Sequence, residues 1–279
     1  MKRLVHNLTA IQERVELLQN AKKIEQLSKG YSYDNKYIVF GDGFKLLLRI
    51  AEKGSYEKKM IEFQILKEMQ SFNIRTPKLI DIGIFNDLNS CYTIYSYIDG
   101  IDAKEALDKL SEEEQYKLGI EAGKELSKMH LLKAPPTIKS WYERAMEKHY
   151  RYYNSYKECG IRINNDEKII NFIEKNKHCI KNRCNHFQHD DYHMGNIIVK
   201  NKKYAGVIDF GNFDWGDPIH DFVKVALFQR EESVPFSIGQ IEGYFDNQIP
   251  EDFWMLYSIY SGMVIFSSVV WSLRFAPEQ

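Results

Sequence analysis

Two stretches of the sequence hold residue types that could turn over a substrate. The first is His189-Asp190-Asp191-Tyr192-His193-Met194-Gly195-Asn196-Ile197-Ile198-Val199, and the second is Val207-Ile208-Asp209-Phe210-Gly211. Asp191 sits in a polar turn between apolar runs. Asn196 opens the next strand-like run, and Asp209 ends the one after it. If those two runs pair as a hairpin, Asn196 and Asp209 converge near the turn that carries Asp191. Two hard oxygen donors and one further carboxylate would then share one place. Such donors suit magnesium, which keeps several waters and takes one or two protein groups together with substrate phosphates. The remaining carboxylate can orient an attacking hydroxyl or accept its proton. Phosphoryl transfer needs this division of labour, because its catalysis is mostly positioning and neutralisation of charge.

The surrounding elements follow from period and punctuation. A helix is predicted from about Thr9 to Leu27, stopped by Ser28-Lys29-Gly30-Tyr31-Ser32. Tyr37–Phe40 and Lys45–Ile50 read as strands joined by the Gly41-Asp42-Gly43 turn. Glu57–Phe72 reads as a helix with Ile61, Ile65 and Met69 on one face, followed by strands near Leu79–Ile84 and Tyr92–Tyr97. Beyond Asp99-Gly100 the pattern turns helical. Ser111-Glu112-Glu113-Glu114 resembles a capped start, with Leu118, Ala122, Leu126 and Met129 at helical spacing behind it. Helices are predicted at about Trp141–Lys157, Asp166–Lys181, Pro218–Gln229, Ile238–Phe245 and Asp252–Leu273, with short strands at Asn196–Val199 and Tyr204–Ile208. A strand-rich first part and a helix-rich second part make an α+β protein of two lobes, residues 1–98 and 99–279, with a hinge near Tyr97–Ile101.

The pattern H-x-D-x-x-x-x-N, then D-F-G, then Gly216-Asp217-Pro218-Ile219-His220-Asp221, resembles the aminoglycoside phosphotransferase and choline kinase family. The resemblance runs over nearly the whole chain and implies a bilobal protein-kinase-like fold, with a nucleotide between the lobes. It makes Asp191 the catalytic base and gives magnesium to Asn196 and Asp209. It packs His189 behind the catalytic loop and has Asp217 and Asp221 brace that loop. Arg49 stands where family members carry the phosphate-pairing lysine, with Lys45 as a rival by charge. Glu62 is its implied ion-pair partner and Glu57 the nearest rival. Ser28, Gly30 and Ser32 fall in the implied phosphate-covering loop, and Ser96, Tyr97 and Ile98 in the implied adenine-binding hinge. Arginine brings a broader, bidentate fork than lysine, so an alternative phosphate grip, or GTP in place of ATP, stays open. Asp190 replaces a glycine common in the family, so a second carboxylate abuts the base and faces either solvent or a cationic substrate.

Charge bears on the acceptor. Lys plus Arg number 38 and Asp plus Glu 39 among 279 residues, a net charge of −1, so a general nucleic-acid binder is not expected. Residues 205–279 hold 3 basic and 11 acidic side chains, a net of −8, which favours a small cationic acceptor. An aminoglycoside or other basic antibiotic fits, and so does an amino alcohol such as choline. The acceptor candidates lie after Asp209, at Asp214, Trp215, Glu231, Glu232 and Trp254; carboxylates and aromatic faces both hold ammonium groups. A protein acceptor is disfavoured, because Asp217 follows Asp209 too closely for a long activation segment. The rival from another class is a nucleotide-binding pseudokinase without catalysis.

The four cysteines form no C-x-x-C and read as free thiols, and the first residues lack a signal-peptide apolar run, so a cytoplasmic protein is expected. The uncharged run Phe253–Leu273 is long enough to span a bilayer, but its serines favour a buried core helix, so no membrane partner is expected.

Overall fold

The computed structural model describes residues 8–28 and 34–275 and divides into two compact units. One takes the described residues up to Gly100 together with Ala205–Gly211; the other takes Ile101–Tyr204 and the described residues from Asn212 on.

In the first unit, helices α1 (Leu8–Arg14) and α2 (Glu16–Gln19) precede strands β1 (Lys23–Leu27), β2 (Asn35–Phe40) and β3 (Lys45–Glu52). Helix α3 (Tyr56–Ser71) and strands β4 (Leu79–Phe85) and β5 (Ser90–Ser96) follow. The strands form one antiparallel sheet in the order β1-β2-β3-β5-β4. Ile11, Val15 and Leu18 are buried in one core with Val39, Leu46, Leu48, Ile50 and Ile94, so the sheet acquires its apolar cover from the first helices. The single helix predicted over Thr9–Leu27 therefore ends early. Lys23–Leu27 instead pairs residue by residue with Lys36–Phe40, because an edge of the sheet is available there and tertiary pairing overrides local helical preference.

The second unit comprises β6 (Ile101–Asp102), α4 (Ala103–Ala106), α5 (Glu112–Met129), α6 (Trp141–Glu158), α7 (Asp166–Asn176), β7 (His186–Gln188) and β8 (Ile197–Lys200). After β9 (Lys203–Val207), which passes into the first unit, come β10 (Asp214–Gly216), α8 (Arg230–Glu232), α9 (Val234–Tyr244) and α10 (Phe253–Phe275). Helix α5 opens with the anticipated capping box between Ser111 and Glu114. It meets α9 at backbone distance through glycines on both helices: a β-carbon at Gly123 would lie 2.1 Å from the carbonyl oxygen of Gln240, and one at Gly239 2.2 Å from that of Tyr116. Strands β8 and β9 form the expected hairpin through Asn201-Lys202. Both residues have positive φ, which matches the twist of the strands.

Two helices differ from expectation. The predicted helix Pro218–Gln229 is a 3₁₀ turn over Pro218–Phe222 followed by a π-helical turn over Val225–Gln229. The Asp217 carboxylate caps the first turn by accepting from the Ile219 amide at 3.1 Å, and the wider second turn absorbs the change of path. Helix α10 buries one stripe, through Phe253, Leu256, Ile259, Tyr260, Met263, Phe266 and Val270. It leaves Trp254, Met255, Trp271 and Leu273 exposed, so it is not buried all round. Among the described residues it is the one helix long and apolar enough to cross a membrane.

Candidate active site

The chemistry-bearing side chains fall into two clusters, one in each unit. In the second unit, β7 delivers the chain to His189-Asp190-Asp191. This loop is held from below by Asp221, whose carboxylate accepts from the His189 amide at 2.8 Å and the Asp190 amide at 2.7 Å. His130 reaches the same carboxylate through Nε2 at 3.0 Å and binds the Tyr244 hydroxyl through Nδ1 at 2.8 Å. Burial alone would raise the Asp221 carboxyl, but the hydrogen bond and charge of His130, with the His189 contacts, hold it below the usual carboxylate range. Asp217 is fully buried against Arg183, at 2.7 and 3.1 Å, and the Tyr260 hydroxyl of α10, at 2.7 Å. Asp221 thus braces the loop, whereas Asp217, expected to do the same, spends its carboxylate on Arg183, Tyr260 and the Ile219 amide; His189 is buried.

Asp190 has φ of 57°, in the left-handed region, which accounts for a glycine-prone position. Its side chain faces His220, at 3.4 Å, and Lys148, at 4.0 Å. Its neighbours are therefore protein cations and imidazole, not the Asp191 carboxylate.

Asp191 is gripped on both oxygens. Oδ1 lies 3.0 Å from Nζ of Lys224 and 3.5 Å from Nε2 of His193. Oδ2 accepts from Nδ2 of Asn196 at 3.0 Å, and the same amide group donates to the Asp191 carbonyl at 2.9 Å. His193 accepts the Gly195 amide on Nδ1 at 3.0 Å, so its proton resides on Nε2, toward Asp191. Burial works to raise the Asp191 carboxyl. The His193 hydrogen bond and the Lys224 charge outweigh it and hold the group far below the ordinary range, so Asp191 is a carboxylate at neutral pH.

In the first unit, β3 presents Arg49. Its Nε and Nη2 bind Oδ2 of Asp34 at 2.9 and 2.8 Å, and its Nη1 lies 3.5 Å from Oε1 of Glu62 on α3. Lys59, one turn before Glu62, binds the same Asp34 oxygen at 2.6 Å, and the Tyr95 hydroxyl donates to Glu62 at 3.3 Å. Burial alone would lower the Arg49 guanidinium; Glu62 and Asp34 outweigh it and keep the charge fixed. Asp209, with φ of 68°, belongs to this unit. A β-carbon on Gly211 would lie 3.7 Å from Oε2 of Glu62 and 3.8 Å from Oδ1 of Asp209, so the two carboxylates flank one glycine.

The rivals separate clearly. Glu57 is exposed and Glu62 buried, so Glu62 holds Arg49. Lys45 instead pairs with Asp99 at 3.0 Å and lies 3.9 Å over the Tyr97 ring, at the end of β5. There the Ser96 amide donates to the Lys78 carbonyl at 2.8 Å and the Tyr97 amide to the Lys45 carbonyl at 3.1 Å, while Ile98 packs beside Gly206. Of the expected phosphate-covering loop, Ser28 is exposed at the end of β1; Gly30 and Ser32 lie outside the described residues. The acceptor candidates are scattered. Asp214 is committed to Arg144 at 2.7 Å, and Trp215 stacks edge-on against Phe187. Glu231 is exposed on α8, where Glu232 pairs with Lys104. Trp254 is an exposed residue of α10 beside Phe253 and Tyr257. The side chains that reach Asp191 are Lys224 and His193, and no local sequence pattern marks that contact. The same holds for Asp34 and Lys59, whose contacts arise from strand-to-helix neighbours.

This arrangement is that of a protein-kinase-like fold carrying a carboxylate and an amide on one hairpin and an arginine–glutamate pair on a strand and helix. The sequence profile of the phosphotransferase enzyme family matches residues 23–254, and the chain belongs to that family. Among solved structures, an ADP-bound aminoglycoside phosphotransferase, APH(2'')-Ib, is similar with a TM-score of 0.69 at 15% identity, covering 97% of this chain and 90% of that one. Aminoglycoside phosphotransferase APH(4)-Ia is similar with a TM-score of 0.70 at 15% identity, covering 95% of this chain and 91% of that one. A GDP complex of an aminoglycoside 2'-phosphotransferase-IIIa mutant reaches 0.70 at 13% identity, covering 97% of this chain and 91% of that one. Comparison with curated protein sequences finds no match.

Proposed function

We propose that the protein transfers the terminal phosphoryl group of ATP, or of GTP, to a hydroxyl of a small polycationic molecule of the aminoglycoside kind, in the cytoplasm. One observation carries this reading within a phosphotransferase family: the Asp191 carboxylate is kept ionised by Lys224 and His193 while Asn196 fixes its second oxygen. Structural relatives described as bound to ADP, GDP or an aminoglycoside support the nucleotide and the acceptor class.

Asp191 orients the acceptor hydroxyl and takes its proton as the new bond forms, a late transfer suited to a weakly basic carboxylate. Asn196 uses its amide nitrogen on Asp191, which leaves its amide oxygen as a hard donor; Asp209 supplies a carboxylate. Each is the kind of hard oxygen donor that magnesium takes, and the ion, when bound, would neutralise phosphate charge. Glu62 and Asp34 hold the first-unit cations in place for the nucleotide.

Lys224 also discriminates between acceptors. In choline the ammonium is two carbons from the reacting hydroxyl and would be forced close to Lys224. That repulsion is on the order of a few kcal/mol at an effective dielectric of ~20. A polycation can keep further ammonium groups remote from the hydroxyl, where the acidic excess of residues 205–279 attracts them. This favours an aminoglycoside-like acceptor over an amino alcohol. A transfer assay with γ-labelled ATP and GTP against aminoglycosides, macrolides, peptide antibiotics and amino alcohols tests the reading. Labelled product from polycations is expected. Product from choline alone would overturn the acceptor assignment, and no transfer to any acceptor despite nucleotide binding would favour the pseudokinase.

A further inference from the structure

An aromatic ring faces solvent beside the Asp191 carboxylate. Phe228 is 52% exposed, although a phenyl side chain gains by leaving water. Its ring centroid lies 6.2 Å from that of His193 and 5.7 Å from Nζ of Lys224. These are the two groups that hold Oδ1 of Asp191, at 3.5 and 3.0 Å. Other exposed aromatic rings have different surroundings. The Tyr150 hydroxyl is bound to Glu174 and Lys177, and Trp254 packs on Phe253 and Tyr257 of its own helix.

The backbone that carries this ring is irregular. Phe228 lies in the π-helical turn Val225–Gln229. A single π-turn is rare and falls mostly at functional sites. Val225 and Gln229 are buried, and the Gln229 amide donates to Gln240 of α9 at 2.7 Å. The turn is therefore anchored at both ends while its Phe228 side chain is left outside.

The ring's neighbours decide what it can take. A hydroxyl bound to Asp191 lies about 2.7 Å from the carboxylate oxygen. The carbon skeleton bearing that hydroxyl must then extend over side chains only one contact removed from the carboxylate, and Phe228 borders two of these. An ammonium is disfavoured on the phenyl face, because Lys224 already lies over it and like charges repel. The C–H face of a saturated sugar or cyclitol ring covers the phenyl without adding charge, and its slightly positive hydrogens suit the negative face of the aromatic ring.

We infer that Phe228 is a specificity-determining residue that stacks on the C–H face of the acceptor ring bearing the reacting hydroxyl. The inference deepens the acceptor reading above and rests on it. A cyclic acceptor buries this phenyl, whereas an open-chain amino alcohol leaves it in water.

The test is steady-state transfer from labelled ATP or GTP to the best aminoglycoside acceptor, for wild type, Phe228→Ala, Phe228→Leu and Phe228→Tyr of the full chain. Melting temperatures and the pH profile of kcat/KM are recorded alongside. Phe228→Ala is expected to raise the acceptor KM by about 5- to 30-fold, the worth of a buried aromatic contact, with kcat and the nucleotide KM little changed. Phe228→Tyr keeps the flat ring and should restore the acceptor KM; Phe228→Leu, apolar but not flat, should fall between. The acid limb of the profile should not move, which separates a ring that touches the acceptor from one that acts through Lys224 or His193. An acceptor KM of Phe228→Ala equal to wild type would overturn the inference and leave the acceptor class intact. A shifted acid limb, or a lowered melting temperature with reduced kcat, would also overturn it, by giving Phe228 a positioning or structural role. Wild type that transfers to no cyclic acceptor would overturn both the inference and the acceptor reading.

Discussion

Nζ of Lys224 lies 3.0 Å from Oδ1 of Asp191, the carboxylate proposed to receive the acceptor proton. The pairing joins the first residue before a π-helical turn to the catalytic loop, and it sets the proton affinity of the base. Because the folded-state value of Asp191 is depressed, its contribution to stability is present above the unfolded value of about 4 and is lost as pH falls below it.

Removing Lys224 should therefore move the acid side of the activity profile. In Lys224→Met the half-activity pH on that side is expected to rise by about 1 unit or more, the usual effect of deleting an adjacent opposite charge. The pH dependence of kcat/KM for the best acceptor measures this. An unmoved acid limb would show that Asp191 is not the titrating group.

Asp191→Asn keeps the shape and the Asn196 contact but discards the proton acceptor. Transfer should fall by about 10²- to 10⁴-fold while nucleotide affinity is retained. Single-turnover transfer with calorimetry on the same sample separates the two effects. Retained transfer would remove Asp191 from the reaction.

Asp190 gives a test of the loop's backbone. Asp190→Gly suits its positive φ and should fold near wild-type stability. Asp190→Val places a branched β-carbon in the left-handed region and should lose about 1–2 kcal/mol. Urea melts of the two variants check the order.

His149 on α6 supplies a pH dependence of stability away from the site. Burial pushes its imidazole down to about 4, against 6.5 for the free side chain, and it packs by Tyr153 and Phe266. A proton is thus bound less readily when folded. Stability should be full above pH 6.5 and decline as pH falls toward 4, by up to about 3 kcal/mol from this group. His149→Phe should flatten that part of the curve in thermal melts taken across the range.

The α5–α9 contact predicts a packing effect. Gly123→Ala drives a β-carbon into the Gln240 backbone and should destabilise by about 1–3 kcal/mol, whereas Gly54→Ala meets open space and should not. Denaturant midpoints distinguish them.

By itself the sequence determined the α+β class, the capping box at Ser111, the hairpin that follows Asn196 and the motif residues Asp191, Asn196, Asp209, Asp217 and Asp221. These are legible because they depend on local period, turn chemistry and spacing along one stretch of chain. Only the tertiary structure decided that Lys23–Leu27 joins a sheet rather than extending a helix, since an open sheet edge is not a property of that segment. Only it decided that Asp34 and Lys59 share Arg49's ion pair, and that Lys224 meets Asp191. Coulombic partnership depends on distance in space and on burial, and residues separated by 15, 25 or more positions come within reach only after strands have chosen their register.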